Sequence, residues 1–247
     1  MSARAARRFR PLTLLPAALL LPLLTTGCSE PPEALETPCS VVVDGSGSGS
    51  PDKGFDAKAK LDATIVLFLK DRDCGKVSFA PITRSSLASP CRVDDVDLDP
   101  PTRSTDDVPA IRERALGKAV RAGRSLLECA QRTQPGSDVL GGITRAAQGL
   151  PAGSGRPALL VVSDFEQADP EFSLTPKSIA DPAERGRAVE KLLGSRGTPP
   201  LEGTDVYPVG YGMSRWAKPS AYEPFDAFWT EILERRSKAR VHDDFKR

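Results

Sequence analysis

Oxygen-bearing side chains follow a short apolar segment near the beginning of the chain. The stretch VVVDGSGSGS places Asp44, Ser46 and Ser48 at alternate positions directly after the valines 41–43. Carboxylate and hydroxyl oxygens are the ligands that a hard cation such as Mg²⁺ prefers, and the glycines let the backbone bend tightly around an ion. A Gly/Ser-rich run is equally typical of a flexible linker. This stretch by itself leaves both interpretations open.

A second aspartate follows another apolar run later in the chain. In RPALLVVSDFEQ, five apolar residues precede Ser163 and Asp164, and their length and composition predict a strand that is buried on both faces. Asp44 and Asp164 therefore each follow a buried strand. Ligands in open α/β sheets bind beyond the carboxyl ends of the strands, so we expect a site where these two aspartates lie.

Alternating strand and helix patterns must position these residues, which predicts an α/β domain with a mostly parallel sheet. Apolar residues at helical spacing predict a helix over Phe55–Lys70, and an Asp-Pro or Asp-x-Pro start predicts two more helices. The helix that starts at Asp181 is expected to end at Gly194, and Pro208 argues for a sheet edge. The further predicted strands are Lys76–Ile82, Cys91–Leu98 as an edge strand, and Thr204–Gly212. The Asp-x-Pro helix begins at Asp107, a shorter helix begins at Val139, and a last one carries Phe225 to Leu233.

Several reaction classes lack the residues that they need. The chain has one histidine, His242, in the charged segment ARVHDDFKR, where we expect a solvated end. A Ser-His-Asp mechanism and a His-bound zinc site therefore lack their imidazoles. Neither a GxSxG elbow nor a GxxxxGK[ST] phosphate loop occurs in the sequence.

The spacing of Asp44, Ser46 and Ser48 resembles the DxSxS motif of von Willebrand factor A domains, which carry a metal-ion-dependent adhesion site. The resemblance extends from about Ser40 to Trp229 and implies a Rossmann-like three-layer fold with a mostly parallel central sheet and one antiparallel edge strand. It further implies a hydroxyl ligand from a later loop, here Ser137 in GSDVLGGI, and assigns Asp164 as the second carboxylate. These five side chains would bind Mg²⁺ or Mn²⁺ and leave one coordination place for a carboxylate of a partner protein.

The chain departs from the family pattern at two places. Ser137 stands where a threonine is common, which keeps the hydroxyl and removes only a methyl group. Ser163-Asp164-Phe165 stands where Thr-Asp-Gly is common, and Glu166 follows. Either Phe165 or Glu166 is a candidate to cover the metal site, and Glu166 is also a candidate internal ligand.

The beginning of the chain has the features of an export signal. Arginines precede an apolar run from Leu12 to Leu24 that is too short to cross a hydrocarbon layer of ~30 Å as a permanent helix. The run ends in LLTTGC, which resembles a bacterial lipobox and implies cleavage before Cys28 and its lipidation; an ordinary secretory signal is the alternative. We therefore expect a signal peptide over 1–27, an acidic, Pro-rich tether over 28–38, a domain over 39–238 and a charged tail over 239–247.

This processing bears on the chain's partners and location. Loss of residues 1–27 removes four arginines and no acidic residue, so the formal charge changes from +1 to −3. Nothing in this balance suggests a nucleic-acid partner. The expected location is the bacterial cell envelope, outside the cytoplasm, with the membrane contacted through the lipid anchor.

Four cysteines remain besides Cys28, and an oxidising compartment can pair them in three ways. The topology of the resembled family implies one of these pairings, Cys39 with Cys74 and Cys91 with Cys129. Buried free thiols are the alternative.

The sequence favours the first of three functions from different classes, and the other two are alternatives to it. The first is a non-enzymatic domain that binds a partner protein through a divalent metal. The second is a scaffolding lipoprotein that uses no metal. The third is a metal-dependent phosphoesterase, which would need further carboxylates or histidines to hold two ions.

Overall fold

A parallel sheet with helices on both faces forms the centre of the molecule, as a computed structural model describes it for residues 33–47, 55–133 and 135–243. Its six strands run in the order β3-β2-β1-β4-β5-β6, and all neighbours are parallel except β3 with β2. The strands are β1 Thr37–Asp44, β2 Cys74–Ile82, β3 Val96–Asp97, β4 Ala158–Val162, β5 Asp205–Val209 and β6 Arg240–Val241. The helices are α1 Ala57–Asp71, α2 Val108–Gln131, α3 Val139–Gln148, α4 Pro182–Arg196 and α5 Pro219–Thr230, and a π-helical turn over Glu231–Arg236 extends α5.

Two hydrophobic cores lie on opposite faces of this sheet. Val41 and Val43 of β1 point to the face covered by α1 and α2, and Val42 points to the face covered by α3, α4 and α5. All five residues of β4 are buried, as expected of a strand covered on both sides. The expected three-layer, Rossmann-like α/β fold with one antiparallel edge strand is therefore confirmed.

Aspartate side chains start four of the helices. Asp56, Asp107, Asp138 and Asp181 each accept a hydrogen bond from a backbone N–H in the first turn of the helix that follows. Each bond satisfies a donor that has no partner within the helix, which is why aspartate is favoured at this position. Helix α4 continues to Arg196, two residues beyond the expected end at Gly194, and stops at Gly197, whose φ of 77° suits glycine.

The antiparallel edge is much shorter than the sequence predicts. Only Val96–Asp97 of the expected strand Cys91–Leu98 pairs with β2. The side chain of Arg145 donates hydrogen bonds to the carbonyl oxygens of Ser86, Ser89 and Cys91, at 3.0–3.1 Å. These bonds hold the loop from Ser86 to Cys91 over α3, and of the expected strand they involve Cys91 alone.

The expected charged tail begins with a short strand. Arg240 and Val241 pair with Asp205 and Val206, so β5 is covered at its first residues and Pro208 lies beyond the reach of β6. His242 is not a freely solvated end: its ring stacks on Tyr207 with centroids 4.4 Å apart, and its Nε2 lies 3.2 Å from Asp205 Oδ1.

Two disulfides join the elements, Cys39–Cys74 and Cys91–Cys129. This is the pairing that the family resemblance implied. The first joins β1 to the start of β2, and the second joins the loop before β3 to the end of α2. Disulfides of this kind persist in oxidising compartments outside the cytoplasm. Within the described ranges, no helix has the length and apolarity that a membrane span requires.

Candidate functional site

The strand order reverses between β1 and β4, and the candidate site lies at that point. The chain passes from β1 through α1 to β2 on one side, and from β4 through α4 to β5 on the other. The loops after the two strands diverge, and such a divergence is where doubly wound sheets bind ligands. Asp44 ends β1, and Ser163 and Asp164 follow β4 directly, so the predicted aspartates are neighbours at the carboxyl ends of these two central strands.

Asp44 is fully buried, and three hydrogen bonds hold its carboxylate. Oδ2 accepts from Ser163 Oγ at 2.6 Å, Oδ1 accepts from the Ser46 N–H at 2.9 Å, and the Ser46 hydroxyl bonds to the same carboxylate. Burial nevertheless raises the pKa of Asp44 above its ordinary value, and the negative charge of Glu166 raises it further. The folded protein therefore contains a carboxylate whose ionised form would be stabilised by a cation.

Only a glycine fits between the ligand candidates Asp44 and Ser46. A Cβ at Gly45 would lie 2.3 Å from the Cβ of Ala130 and 2.8 Å from the backbone nitrogen of Gln131, at the end of α2. Real Cβ atoms do not approach so closely, so only glycine lets the loop after β1 pack on that helix. The position of Ser46 thus depends on α2 as well as on β1.

The residues after β4 form a strained turn. Phe165 has a φ of 62°, which is uncommon for an aromatic residue, and its N–H donates to Ser163 Oγ at 2.9 Å. Its ring is fully buried and packs edge-on against Tyr211 and Trp229, and Trp229 Nε1 donates to its carbonyl oxygen. Phe165 therefore does not cover the site, because its ring belongs to the core beneath α5.

Asp164 and Glu166 flank Phe165 in that turn. The Asp164 side chain is fully buried, and its Oδ1 accepts from the Glu166 N–H at 3.0 Å. The Glu166 carboxylate forms an ion pair with Arg215.

Backbone hydrogen bonds join Ser137 to the segment that follows β4. Its N–H donates to the Ala168 carbonyl at 2.7 Å, and the Ala168 N–H donates back at 2.8 Å, four residues after Asp164. The hydroxyl of Ser137 is buried and, within the described part of the chain, has no hydrogen-bond partner. Burying a hydroxyl without a partner costs ~1–3 kcal/mol, so this oxygen is suited to a ligand.

A buried ion cluster fixes the segment that carries Ser137. Arg196, the last residue of α4, contacts Asp138 at 3.2 Å and Asp169 at 3.0 Å and also pairs with Glu171. The side chains of Asp138 and Asp169 are almost completely buried, so the guanidinium neutralises charge that water cannot reach. Gln167 adds a bond from the Leu140 N–H to its Oε1. These contacts connect the turn after β4 to the start of α3.

The structure therefore brings together the segments that contain Asp44, Ser46, Ser137 and Asp164. Ser48 and the lipidation candidate Cys28 lie outside the described residues. No group of three or more histidines, cysteines or acidic residues suited to a metal occurs among the described residues, so hydroxyls would have to complete any ligand set.

Sequence reasoning missed Arg196 and Arg215, because both act from elements distant in sequence and no local motif marks them.

Comparison with known proteins finds no family model that matches this chain and no curated protein that matches it. The fold and the arrangement of the site are thus the basis for the function proposed below.

Replacement of Arg196 should destabilise the protein strongly. In Arg196→Ala, Asp138 and Asp169 remain buried without their cation, and we expect a loss of about 3 kcal/mol in the free energy of unfolding. Urea unfolding followed by circular dichroism measures it. The control is Arg235→Ala, whose exposed pair with Glu231 is worth at most about 0.5 kcal/mol. Equal losses in the two variants would contradict a structural role for the cluster.

Asp44 should make stability depend on pH in the absence of metal. Because the pKa of Asp44 is raised in the folded protein, its ionisation opposes folding above that pKa. In EDTA at pH 7, Asp44→Asn should therefore unfold at higher urea than the wild type. The difference should shrink as the pH falls through the raised pKa towards the ordinary value of 3.8.

Asp99→Asn provides a control of opposite sign for this experiment. Partial burial of Asp99 acts to raise its pKa, but hydrogen bonds from Arg112 and the Leu35 N–H outweigh burial and lower it. This variant should be less stable than the wild type at pH 7, and the loss should disappear at low pH. A pH-independent difference for Asp44→Asn would show that burial of its charge does not limit stability.

Proposed function

We propose that this chain is a lipid-anchored domain of the von Willebrand factor A type that binds a divalent cation and, through it, a carboxylate of a partner protein. The observation that carries the proposal is the buried hydroxyl of Ser137, which has no hydrogen-bond partner among the described residues and belongs to a segment bonded to Ala168, four residues after the buried Asp164. The sheet, with its short antiparallel edge strand, agrees with the fold that the resemblance implied.

The residues of the candidate site fit a hard cation. Asp44 and Asp164 supply two negative charges, and Ser46, Ser137 and the predicted ligand Ser48 supply hydroxyl oxygens, so every donor is oxygen, as Mg²⁺ or Mn²⁺ requires. Two carboxylates balance the charge of a divalent ion without filling its coordination sphere. When bound, the cation supplies a Lewis-acidic position that accepts one more carboxylate.

Each part of this side-chain set has a separate role. Ser163 and the Ser46 N–H orient the Asp44 carboxylate before any ion arrives, and the bonds between Ser137 and Ala168 position the serine hydroxyl. Such preorganisation lowers the entropic cost of binding. The phosphoesterase alternative needs ligands for two ions, which these two aspartates do not supply.

A thermal melt with and without metal tests this proposal. With millimolar Mg²⁺ or Mn²⁺ the wild type should melt at a higher temperature than in EDTA, because a ligand at a hundredfold excess over its Kd stabilises the folded state by ~2.7 kcal/mol. Ser137→Ala and Asp44→Ala should lose this gain and remain folded in EDTA.

Ser40→Ala is the matched control for the melt. Ser40 is a buried serine of β1 whose hydroxyl bonds to Ser78, so its removal should lower the melting temperature equally with and without metal. If the wild type melts at the same temperature in EDTA and in metal, the metal-binding proposal fails and the scaffolding alternative replaces it.

The lipid anchor has its own test. In a bacterium with the lipoprotein pathway, the protein should partition into the detergent phase and incorporate labelled palmitate, because Cys28 ends the LLTTGC motif. Cys28→Ser should abolish the label and leave the protein unprocessed or released. Normal cleavage with unchanged membrane association in this variant would contradict lipidation.

A further inference from the structure

Another acidic residue, Glu166, shares the turn after β4 with the predicted metal ligand Asp164. Glu166 is the second residue after Asp164, and its N–H donates to Asp164 Oδ1, so its backbone is fixed next to the site. Its negative charge contributes to the raised pKa of Asp44, after the larger effect of burial. In this structure the Glu166 carboxylate does not form a metal-binding group with Asp44 and Asp164, so its side chain would have to turn away from Arg215 to reach the same cation.

Arg215 holds this carboxylate. Its guanidinium pairs with Glu166 Oε1 and lies over the ring of Trp216, with the guanidinium carbon 5.4 Å from the ring centroid. Trp216 is completely buried, so the arginine is supported from beneath while its own side chain is 40% exposed. An arginine stacked in this way loses less freedom on pairing than one that extends into solvent.

The Glu166–Arg215 pair affects the charge available to a bound divalent cation. Two aspartates neutralise a divalent cation, and a third carboxylate from Glu166 would bind at the place otherwise left for a partner. While Arg215 pairs with Glu166, the negative charge of Glu166 is neutralised and its oxygen is occupied. Whether Glu166 pairs with Arg215 or binds the metal would therefore determine whether a coordination place stays open for a partner.

We propose that Glu166 is an internal competitor for the cation and that Arg215 keeps the site open to a partner's carboxylate by holding Glu166 away. This inference rests on the metal binding proposed above. Loss of Arg215 releases Glu166 to bind the ion, which tightens metal binding and closes the site. Loss of Glu166 leaves the ion open and Arg215 available to a carboxylate from outside.

Water-proton relaxation of bound Mn²⁺ distinguishes these states without knowledge of the partner, because it reports how many exchangeable waters the ion retains. The full-length protein in detergent is titrated with Mn²⁺ alone. Compared with the wild type, Arg215→Ala should bind Mn²⁺ several-fold more tightly with a lower relaxivity per bound ion, since Glu166 replaces a water. Glu166→Gln should keep the wild-type relaxivity or exceed it, and the double variant should behave like Glu166→Gln.

Arg124→Ala is the matched control, because Arg124 pairs with Asp62 at a comparable exposure between α1 and α2. It should leave affinity and relaxivity unchanged. If the wild type binds no Mn²⁺, the proposed function itself fails. If the wild type binds Mn²⁺ and Arg215→Ala matches it in affinity and relaxivity, only the competitor role is overturned. Arg215→Gln provides the same comparison should the alanine variant not fold.

Discussion

A fully buried carboxylate at the end of β1 is the constraint on which the surrounding structure depends. Removing an ionised aspartate from water is expensive, and the protein compensates with donors from the residues that follow β1 and β4. Ser163 reaches Asp44 across the β1–β4 pair, and Ser46 folds back on it from the next turn. The single hydroxyl of Ser163 also accepts from the Phe165 N–H, so one side chain orients Asp44 and supports the strained turn after β4.

The surrounding loops are fixed by charges and disulfides, because they have little secondary structure of their own. Arg196 joins α4 to the turn after β4 and to the start of α3, and Arg145 binds three carbonyls of the loop after β2. The disulfide between Cys91 and Cys129 ties that loop to the end of α2, on which Gly45 packs. Rigid support of this kind positions ligand atoms before a ligand binds, which reduces the entropic cost of binding.

The ion pairs of Arg196 and of Arg215 differ in their exposure to solvent and in how easily they exchange partners. Arg196 is mostly buried and pairs with Asp138 and Asp169, whose side chains have almost no access to solvent, so these contacts are permanent parts of the fold. Arg215 lies near the surface and holds a single carboxylate, and an exposed pair of this type exchanges partners at small energetic cost. The fixed cluster positions Ser137, whereas the exchangeable pair lies where a partner would approach.

The sequence by itself determined the α/β class, most helix starts and the two aspartates at strand ends, because apolar periodicity and aspartate capping act over a few residues. It could not determine the direction of the Phe165 ring, which follows from a positive φ and from contacts with Tyr211 and Trp229 far along the chain. It overestimated the edge strand: of Cys91–Leu98 only Val96–Asp97 pairs with β2, and the first residue, Cys91, bonds through its carbonyl to Arg145 of α3. The resemblance implied the disulfide pairing, whereas the cysteine count alone left three pairings open. The unpartnered hydroxyl of Ser137 and the pairing of Glu166 with Arg215 were decided by tertiary structure, because their surroundings come from elements that are distant in sequence.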